Sequence, residues 1–317
     1  MNNPKVTVLL SIYNGERYVK EAIDSILNQT YNNFEFLIID DASTDNTPEI
    51  LQSYNDPRIK VIRNSENLGL TKSLNIGLGL ARGEYIARID ADDISMPERF
   101  TEEVNYLDSN SDVAVVGTGR ENIDDNGKVI ETVIPPKIVS FEHLLKGNQF
   151  QHSSVMFRKE IVVKEGGYCP LMHCCQDYYL WLKLARNHSL HNIPDVLSKL
   201  RIQKNSVSFT KVHESALSQI FAIRILNNSM KESDICYDTN SVNFSKDEQI
   251  YYLTRLAECH KINENFNDAR KIYMKIFLID NSMSSIVNYF RMFFGRWFIS
   301  ETTKIHAVFR DKLRINK

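Results

Sequence analysis

The sequence predicts an α/β fold: a mostly parallel sheet with helices on both faces, followed by a helical C-terminal region. Three observations predict it. Short apolar runs alternate with amphipathic segments through the first hundred residues, the pattern of successive βα units. The runs show little polar alternation, as expected of strands buried on both faces. From about Val212 strand signals cease and the character becomes helical.

Each element has its own local reason. Val6 to Leu10 is apolar and rich in β-branched residues, hence a strand. From about Glu16 to Gln29 a helix follows, with Val19, Ala22, Ile23, Ile26 and Leu27 at helical spacing. Phe34 to Ile39 is the second strand. Thr47-Pro48 reads as an N-cap followed by Pro at the first helical position, opening a helix to about Tyr54. Ile59 to Ile62 is the third strand, Thr71 to Ala81 a helix, and a fourth strand ends at Ile89. Beyond it, Val113 to Val116 and Val155 to Phe157 are short strands, and Asn126-Gly127 marks a hairpin. Trp181, Leu182 and Leu184 place a helix over Asp177 to Ala185. Glu248 to Cys259 and Ala269 to Ile279 are expected to form a helical hairpin; the segment "FNDARKIYMKIFLID" resembles one half of a tetratricopeptide-type unit, and a single pair is too little to be a repeat.

Bulk properties set limits. A chain of 317 residues has room for about two domains, here 1–210 and 211–317. Apolar content of 43% and charged content of 25% are those of a globular protein, and a net charge of −2 excludes a nucleic-acid partner held by a global basic field. Five cysteines with no C-x-x-C pair argue against a disulfide framework or zinc site and for a reducing, cytoplasmic location. No run of about 18 apolar residues is present, so no membrane span is expected. The tail, Ser284 to Lys317, mixes large apolar residues with seven Lys/Arg and only two acids. Two readings of it stand: a peripheral membrane contact, or a helix packed on the protein with a solvated basic face.

The chemistry concentrates in "ARIDADDISMPERF", Ala87 to Phe100. Asp90, Asp92 and Asp93 directly follow a strand. On an extended chain Asp90 and Asp92 share one face and Asp93 turns away. In open α/β sheets this strand end is where ligands bind. Two carboxylates aimed at one point need a cation or a shared proton. Oxygen ligands of this kind suit Mg²⁺ or Mn²⁺ shared with substrate phosphates. Helix capping does not need the aspartates, since Ser95-Met96-Pro97-Glu98 supplies a capping box. An EF-hand loop lacks its Gly and Glu here, while an exposed acidic turn would need no ligand. Two neighbouring strand ends are polar as well: Asp40-Asp41 in "FLIIDDASTDNT", and Ser11 and Tyr13 in "LLSIYNGE". A carboxylate there can accept a ring N–H or bond a ribose hydroxyl, and a Tyr can stack on a base. The set describes a nucleotide site with a metal at its phosphate end.

The succession "VTVLLSIYNGERYVKEAIDSILNQT", "FEFLIIDDASTDNT" and "NLGLTKSLNIGLGLARGEYIARIDADDISMPERF" resembles the nucleotide-sugar domain of family 2 glycosyltransferases, over about residues 4 to 205. The resemblance implies the GT-A fold, a Rossmann-like sheet, for residues 1–210. It implies inverting transfer from a nucleotide diphosphate sugar, with a divalent metal, Mn²⁺ or Mg²⁺, on the diphosphate. It places Asp41 at the base, Ser11 and Tyr13 near the nucleoside, and Asp90 and Asp92 as the D-x-D pair around ribose and metal. The family's base is the Asp of an acidic or Gln-Asp pair, matched by Gln176-Asp177 in "HCCQDYYLWLKLARN". Inversion needs this carboxylate to deprotonate the acceptor hydroxyl. His152 in "FQHSSVMFRK" matches a His-x-Ser pattern near the acceptor side. Arg201 matches a loop Arg that bonds phosphate, with Gln203 where a His is usual. Lys72 is a further phosphate candidate or a helix-surface cation. The expected partners are a UDP-sugar donor and a growing cell-surface glycan acceptor, often lipid-linked in this family, at the inner face of the membrane.

Competing classes fit less well. A nucleotidyltransferase needs a Gly-rich loop after its first strand, where Ser11-Ile12-Tyr13-Asn14-Gly15 stands. A dinucleotide-binding oxidoreductase needs G-x-G-x-x-G, and Gly117-Thr118-Gly119 lacks the third Gly. A non-catalytic sugar-nucleotide binder on the same fold would have no use for Asp177.

Overall fold

The computed structural model describes residues 3–203, 210–239, 241–262 and 265–280. The tail segment Ser284 to Lys317 lies outside the described residues. The chain divides into two compact units, Met1–Gln203 with Phe221–Glu232, and Lys204–Ile220 with Ser233–Lys317.

In the first unit the strands β1 (Val6–Ile12), β2 (Phe34–Asp40), β3 (Ile59–Arg63) and β4 (Tyr85–Arg88) are parallel, in the order 3-2-1-4. All residues of β1, β2 and β4 are buried, which explains their unbroken apolar runs. Helices α1 (Val19–Leu27) and α4 (Arg99–Ser109) supply Ile23, Ile26, Phe100 and Val104 to a core with Val8, Leu10 and Phe36. On the opposite face lies α3 (Leu70–Leu80). There the absent side chain of Gly77 makes room for Leu9, whose Cδ1 sits 2.2 Å from where a Cβ would stand. Register brings the strand ends level: Ile12 pairs with Asp40, Asp40 with Arg63, and Leu9 with Arg88. The order reverses at β1, so the crevice opens where β1 and β4 end.

The sheet continues through β8 (Met156–Arg158), β6 (Val113–Ile123), β9 (Ser189–Arg201) and the short β5 (Ile94–Ser95). β8 is antiparallel to β4 and β6, and β9 runs parallel to β6. The expected hairpin is present: β7 (Val129–Val133) pairs with β6 across a turn in which Gly127 has φ of 80°. The strand β9 has no counterpart in the sequence reading. Pro194 interrupts it, and its polar residues break any alternation. It forms because β6 offers a partner edge with a register shift at Gly119. A Cβ at Gly119 would lie 2.8 Å from the Pro194 carbonyl oxygen.

Two capping expectations are corrected. Ser95 lies in β5 and does not cap α4, which starts after Glu98; the Ser95 hydroxyl instead accepts from Arg99 Nη1 at 2.9 Å. Asn46, not Thr47, precedes α2 (Thr47–Gln52), and the Thr47 hydroxyl accepts from the Gly15 N–H at 2.9 Å. Both hydroxyls are claimed by residues distant in sequence. Two more short helices, α5 (Phe141–Leu145) and α6 (Lys159–Lys164), precede α7 (Gln176–Leu184), whose predicted range was one residue later. The chain passes from the second unit back to the first inside α8 (Val212–Leu226). The second unit contains the expected helical hairpin, α9 (Lys246–Ile262) and α10 (Phe266–Asp280), closed by Ala257, Tyr273 and Ile276.

Gly119→Ala should cost about 1–3 kcal/mol, because backbone oxygens of β9 cannot yield cheaply to a Cβ. Gly79 on α3 has nothing within 4 Å of a built Cβ, so Gly79→Ala should gain about 0.5–1 kcal/mol. Urea unfolding of both variants beside the parent checks the opposite signs.

Candidate active site

The loops after β1 and β2 are zipped together by polar bonds. Asn14, at φ of 53°, accepts from Thr44 N at 2.8 Å and donates its own N–H to Ser43 Oγ at 3.0 Å. This leaves Tyr13 with half its surface exposed above the crevice, and Ser11 buried within β1. The two carboxylates ending β2 have separate tasks. Asp40 is structural: it accepts from Arg63 Nη1 at 2.5 Å and from Ser43 N at 2.9 Å. Asp41 gathers the segment before α3, accepting from Asn64 Nδ2 at 2.7 Å, Leu68 N at 2.9 Å and Gly69 N at 2.8 Å. Lys72 is exposed in the first turn of α3 just beyond.

Asp90 is held from two sides. Arg88 Nη2 donates to Oδ1 at 2.5 Å and the Ser153 hydroxyl to Oδ2 at 2.8 Å. Burial opposes its ionisation, but the Arg88 guanidinium and the Ser153 bond outweigh it and hold the carboxyl below its usual value. Arg88 is itself wholly buried. Its Nη1 donates to the carbonyls of Leu9 and Ile89, both at 2.6 Å, and its Nε to His152 Nε2 at 3.2 Å. Arg88 and Ser153 belong to none of the motifs visible in the sequence. The signal for Arg88 was a charge inside the apolar run Tyr85 to Ile89.

The strand ends at Arg88, and a turn brings Asp92 near Asp90, with Asp93 N donating to Asp90 O at 3.3 Å. The shared face expected from strand alternation is therefore produced by a turn. Asp92 accepts from Gln203 Nε2 at 2.5 Å. Burial and the charge of Asp90 push its carboxyl up to about 6. Asp93 faces inward, 1% exposed, and accepts from Arg201 N at 2.9 Å. Its other oxygen has no partner, and burial and the two neighbouring aspartates raise it well above the ordinary carboxylate value.

Arg201 lies beneath this turn. Its Nε donates to Asp92 O at 3.0 Å, its Nη1 to the Asp124 carbonyl at 3.1 Å, and its Nη2 to Glu21 at 2.5 Å, while the guanidinium stacks 4.2 Å from the Tyr18 ring centre. His152 is also internal. Burial, then the Arg88 charge, push it down to about 3, so the imidazole is neutral and accepts from Arg88. It contacts Tyr168 at 2.8 Å and packs against Trp181 of α7. Asp177 stands in the first turn of α7, half-buried, and accepts from Asn148 Nδ2 at 2.8 Å. Burial raises its carboxyl, and the charge of Asp90 adds to this, so the two carboxylates feel each other.

Among the described residues no group of three or more His, Cys, Asp or Glu side chains is arranged to hold a metal alone. The candidate donors are oxygen only, and burial with the Asp90 charge outweighs the Gln203 bond and the Arg201 charge, so the ionised Asp92 carboxylate gains from a nearby cation. That fits a hard cation taking its remaining ligands from phosphate oxygens.

A family model described as Glycosyl transferase family 2 matches residues 7–164. The O-antigen biosynthesis glycosyltransferase WbnJ of Escherichia coli is 32% identical, with 70% of this chain and 91% of the relative covered. The chain belongs to glycosyltransferase family 2 and is a glycosyltransferase. Among solved structures, S. aureus TarS 1–349 in complex with UDP is similar at a TM-score of 0.55 and 17% identity, covering 91% of this chain and 90% of that one. The mannosyltransferase PcManGT of Pyrobaculum calidifontis, in complex with GDP-Man and Mn²⁺, is similar at 0.60 and 17%, covering 96% and 84%. These likenesses establish the GT-A fold. Among the described residues no helix is long and apolar enough to cross a membrane.

The Asp92 carboxyl releases its proton near pH 6 in the fold but near 3.8 when unfolded. Protonated Asp92 thus favours the fold at low pH, and this contribution is lost as pH rises through 6. Asp92→Asn should therefore match the parent's stability near pH 4 and exceed it by on the order of 2 kcal/mol at pH 7.5. Urea titrations of both proteins without metal, at the two pH values, test the sign.

Proposed function

We propose that this glycosyltransferase moves a hexosyl or N-acetylhexosaminyl unit, with inversion, from a UDP-sugar to a hydroxyl of a growing cell-surface glycan of polysaccharide, O-antigen or capsule type. The observation that carries the reading is Asp177: a half-buried carboxylate in the first turn of a helix, raised by burial and within reach of the Asp90 charge. A carboxylate whose affinity for a proton is raised by burial is a stronger base than an exposed one.

In this reading residues 1–210 form the catalytic domain. Tyr13 stacks on the uracil ring, and Ser11 lies below the nucleoside. Asp41 accepts the ring N3–H with the acceptor capacity its three N–H partners leave. Asp90, immobilised by Arg88 and Ser153, accepts from the ribose. Asp92 would hold Mn²⁺ or Mg²⁺ on the diphosphate, where the cation offsets the charge of the departing nucleotide. Lys72 adds a positive charge near the same phosphates. The acceptor hydroxyl gives its proton to Asp177 as its oxygen bonds the anomeric carbon, and the bond from that carbon to the diphosphate oxygen breaks on the other side. His152 and Arg201 support this arrangement from behind by fixing Arg88 and the D-x-D turn. WbnJ, named for O-antigen biosynthesis, and TarS, crystallised with UDP, support the acceptor class and the donor. A lipid-linked acceptor places the reaction at the inner face of the membrane, where the basic, aromatic tail would make a peripheral contact.

Calorimetric titration of UDP, GDP and dTDP, with Mn²⁺ and then with EDTA, should show UDP binding that needs metal. Binding of GDP alone would move the donor to another base. Asp177→Asn should lower UDP release from UDP-sugars by about 10²–10⁴-fold while UDP affinity stays within about twofold. A loss of UDP affinity instead would remove Asp177 from the base role.

A further inference from the structure

Asp177 is not alone at the start of α7. Asn148 reaches it from the loop after α5, its Nδ2 donating to Asp177 Oδ2 at 2.8 Å. The direction of this amide is set by a second bond, in which Asn148 Oδ1 accepts from Phe150 N at 3.1 Å. The amide therefore presents its N–H₂ to the carboxylate. The loop is tied down around it. Ser140 and His143 form a reciprocal cap at the start of α5, and Gln149 Nε2 donates to the Gly147 carbonyl at 2.9 Å. Gly147 has φ of 142°, a value L side chains rarely adopt, so the chain can reverse there.

The ties that matter most come from α7 itself. The Tyr178 hydroxyl, one residue after Asp177, donates to the Leu144 carbonyl at 2.7 Å. Trp181, one turn further on, packs against Phe150 at 5.7 Å between ring centres. Asn148 thus lies between two anchors supplied by the helix that carries the base. Its position relative to Asp177 is set by that helix.

We propose that Asn148 is the positioning residue for Asp177: it fixes the rotation of the carboxylate toward the acceptor hydroxyl. The proposal rests on the reading of Asp177 as the base. Chemistry explains the residue type. A carboxylate has about four acceptor positions, so one amide bond orients it and leaves room for the incoming hydroxyl. A Lys or Arg there would neutralise the charge and depress basicity, while an Asp would repel it and trap a proton between two acids. A neutral donor offsets part of the rise caused by burial and Asp90 without removing the charge. The arrangement has the logic of a base held by a third group.

The test uses the full chain with aspartate carboxyl carbons labelled for ¹³C NMR, the Asp177 signal being assigned by its loss in Asp177→Asn. Asn148→Ala should raise the Asp177 midpoint by about half a unit to one unit, and Asn148→Asp by more. UDP release from UDP-glucose and UDP-N-acetylglucosamine, with water as the acceptor, should fall about tenfold or more in Asn148→Ala near neutral pH. Its acid limb should move to higher pH by the same shift. The UDP dissociation constant should stay within about twofold. A rate loss explained by weaker UDP binding, or midpoints and acid limbs unmoved in both variants, would overturn the positioning role. If those null results accompany an inactive Asp177→Asn, only the role of Asn148 fails. An active Asp177→Asn would remove the base reading and this inference together.

Discussion

The guanidinium of Arg88 is the constraint on which the site depends. It lies wholly inside the protein, where an ionised group is tolerated only when its donors are satisfied. Its partners come from three pieces of chain: the carbonyl of Leu9 in β1, the Ile89 carbonyl and Asp90 carboxylate past β4, and His152 before β8. Satisfying one cation therefore fixes the spacing between adjacent strands at the crevice. His152 passes that constraint on, since its ring meets Tyr168 and Trp181, and Trp181 belongs to the helix that carries Asp177 in its first turn. Asp90 and the helix that carries Asp177 are thereby referred to the same buried charge.

Three aspartates in four positions acquire three different properties from this frame. Asp90, facing Arg88, is held below its usual value; Asp92, with a Gln amide for company, is lifted to about 6; Asp93, sealed inside, is lifted well above the ordinary carboxylate value. Repulsion among like charges is not avoided but distributed. One member is compensated by protein, one is left for a cation or proton, and one serves the backbone of Arg201. In the proposed reading a nucleotide diphosphate with a divalent ion would complete the arrangement.

The fold was largely legible because its signals are local. Apolar runs and helical spacing specify β1, β2, β4, α1 and α3 within a residue or a few. The strand β9 was not legible, because a strand interrupted by Pro194 takes its shape from the edge it pairs with and from the gap at Gly119. The caps failed for a related reason: Ser95 and Thr47 have the right side chains, but Arg99 and Gly15 claim them in the folded chain. The support for the carboxylates escaped notice too. Arg88, Ser153 and Asn148 carry no motif of their own, and Arg88 stood out only as a charge in a buried strand.

By itself the sequence determined which strand ends carry polar groups, since a buried run followed by Asp or Ser is written in consecutive residues. Within a parallel sheet such ends gather at one edge whatever the details. Only the tertiary structure decided what each group does there. Arg201 and Asp92, 109 positions apart, and Asn148 and Asp177, 29 apart, meet only after the sheet and loops are in place. The protonation and orientation of a carboxylate depend on charges and donors within a few ångströms, and that neighbourhood comes from distant parts of the chain.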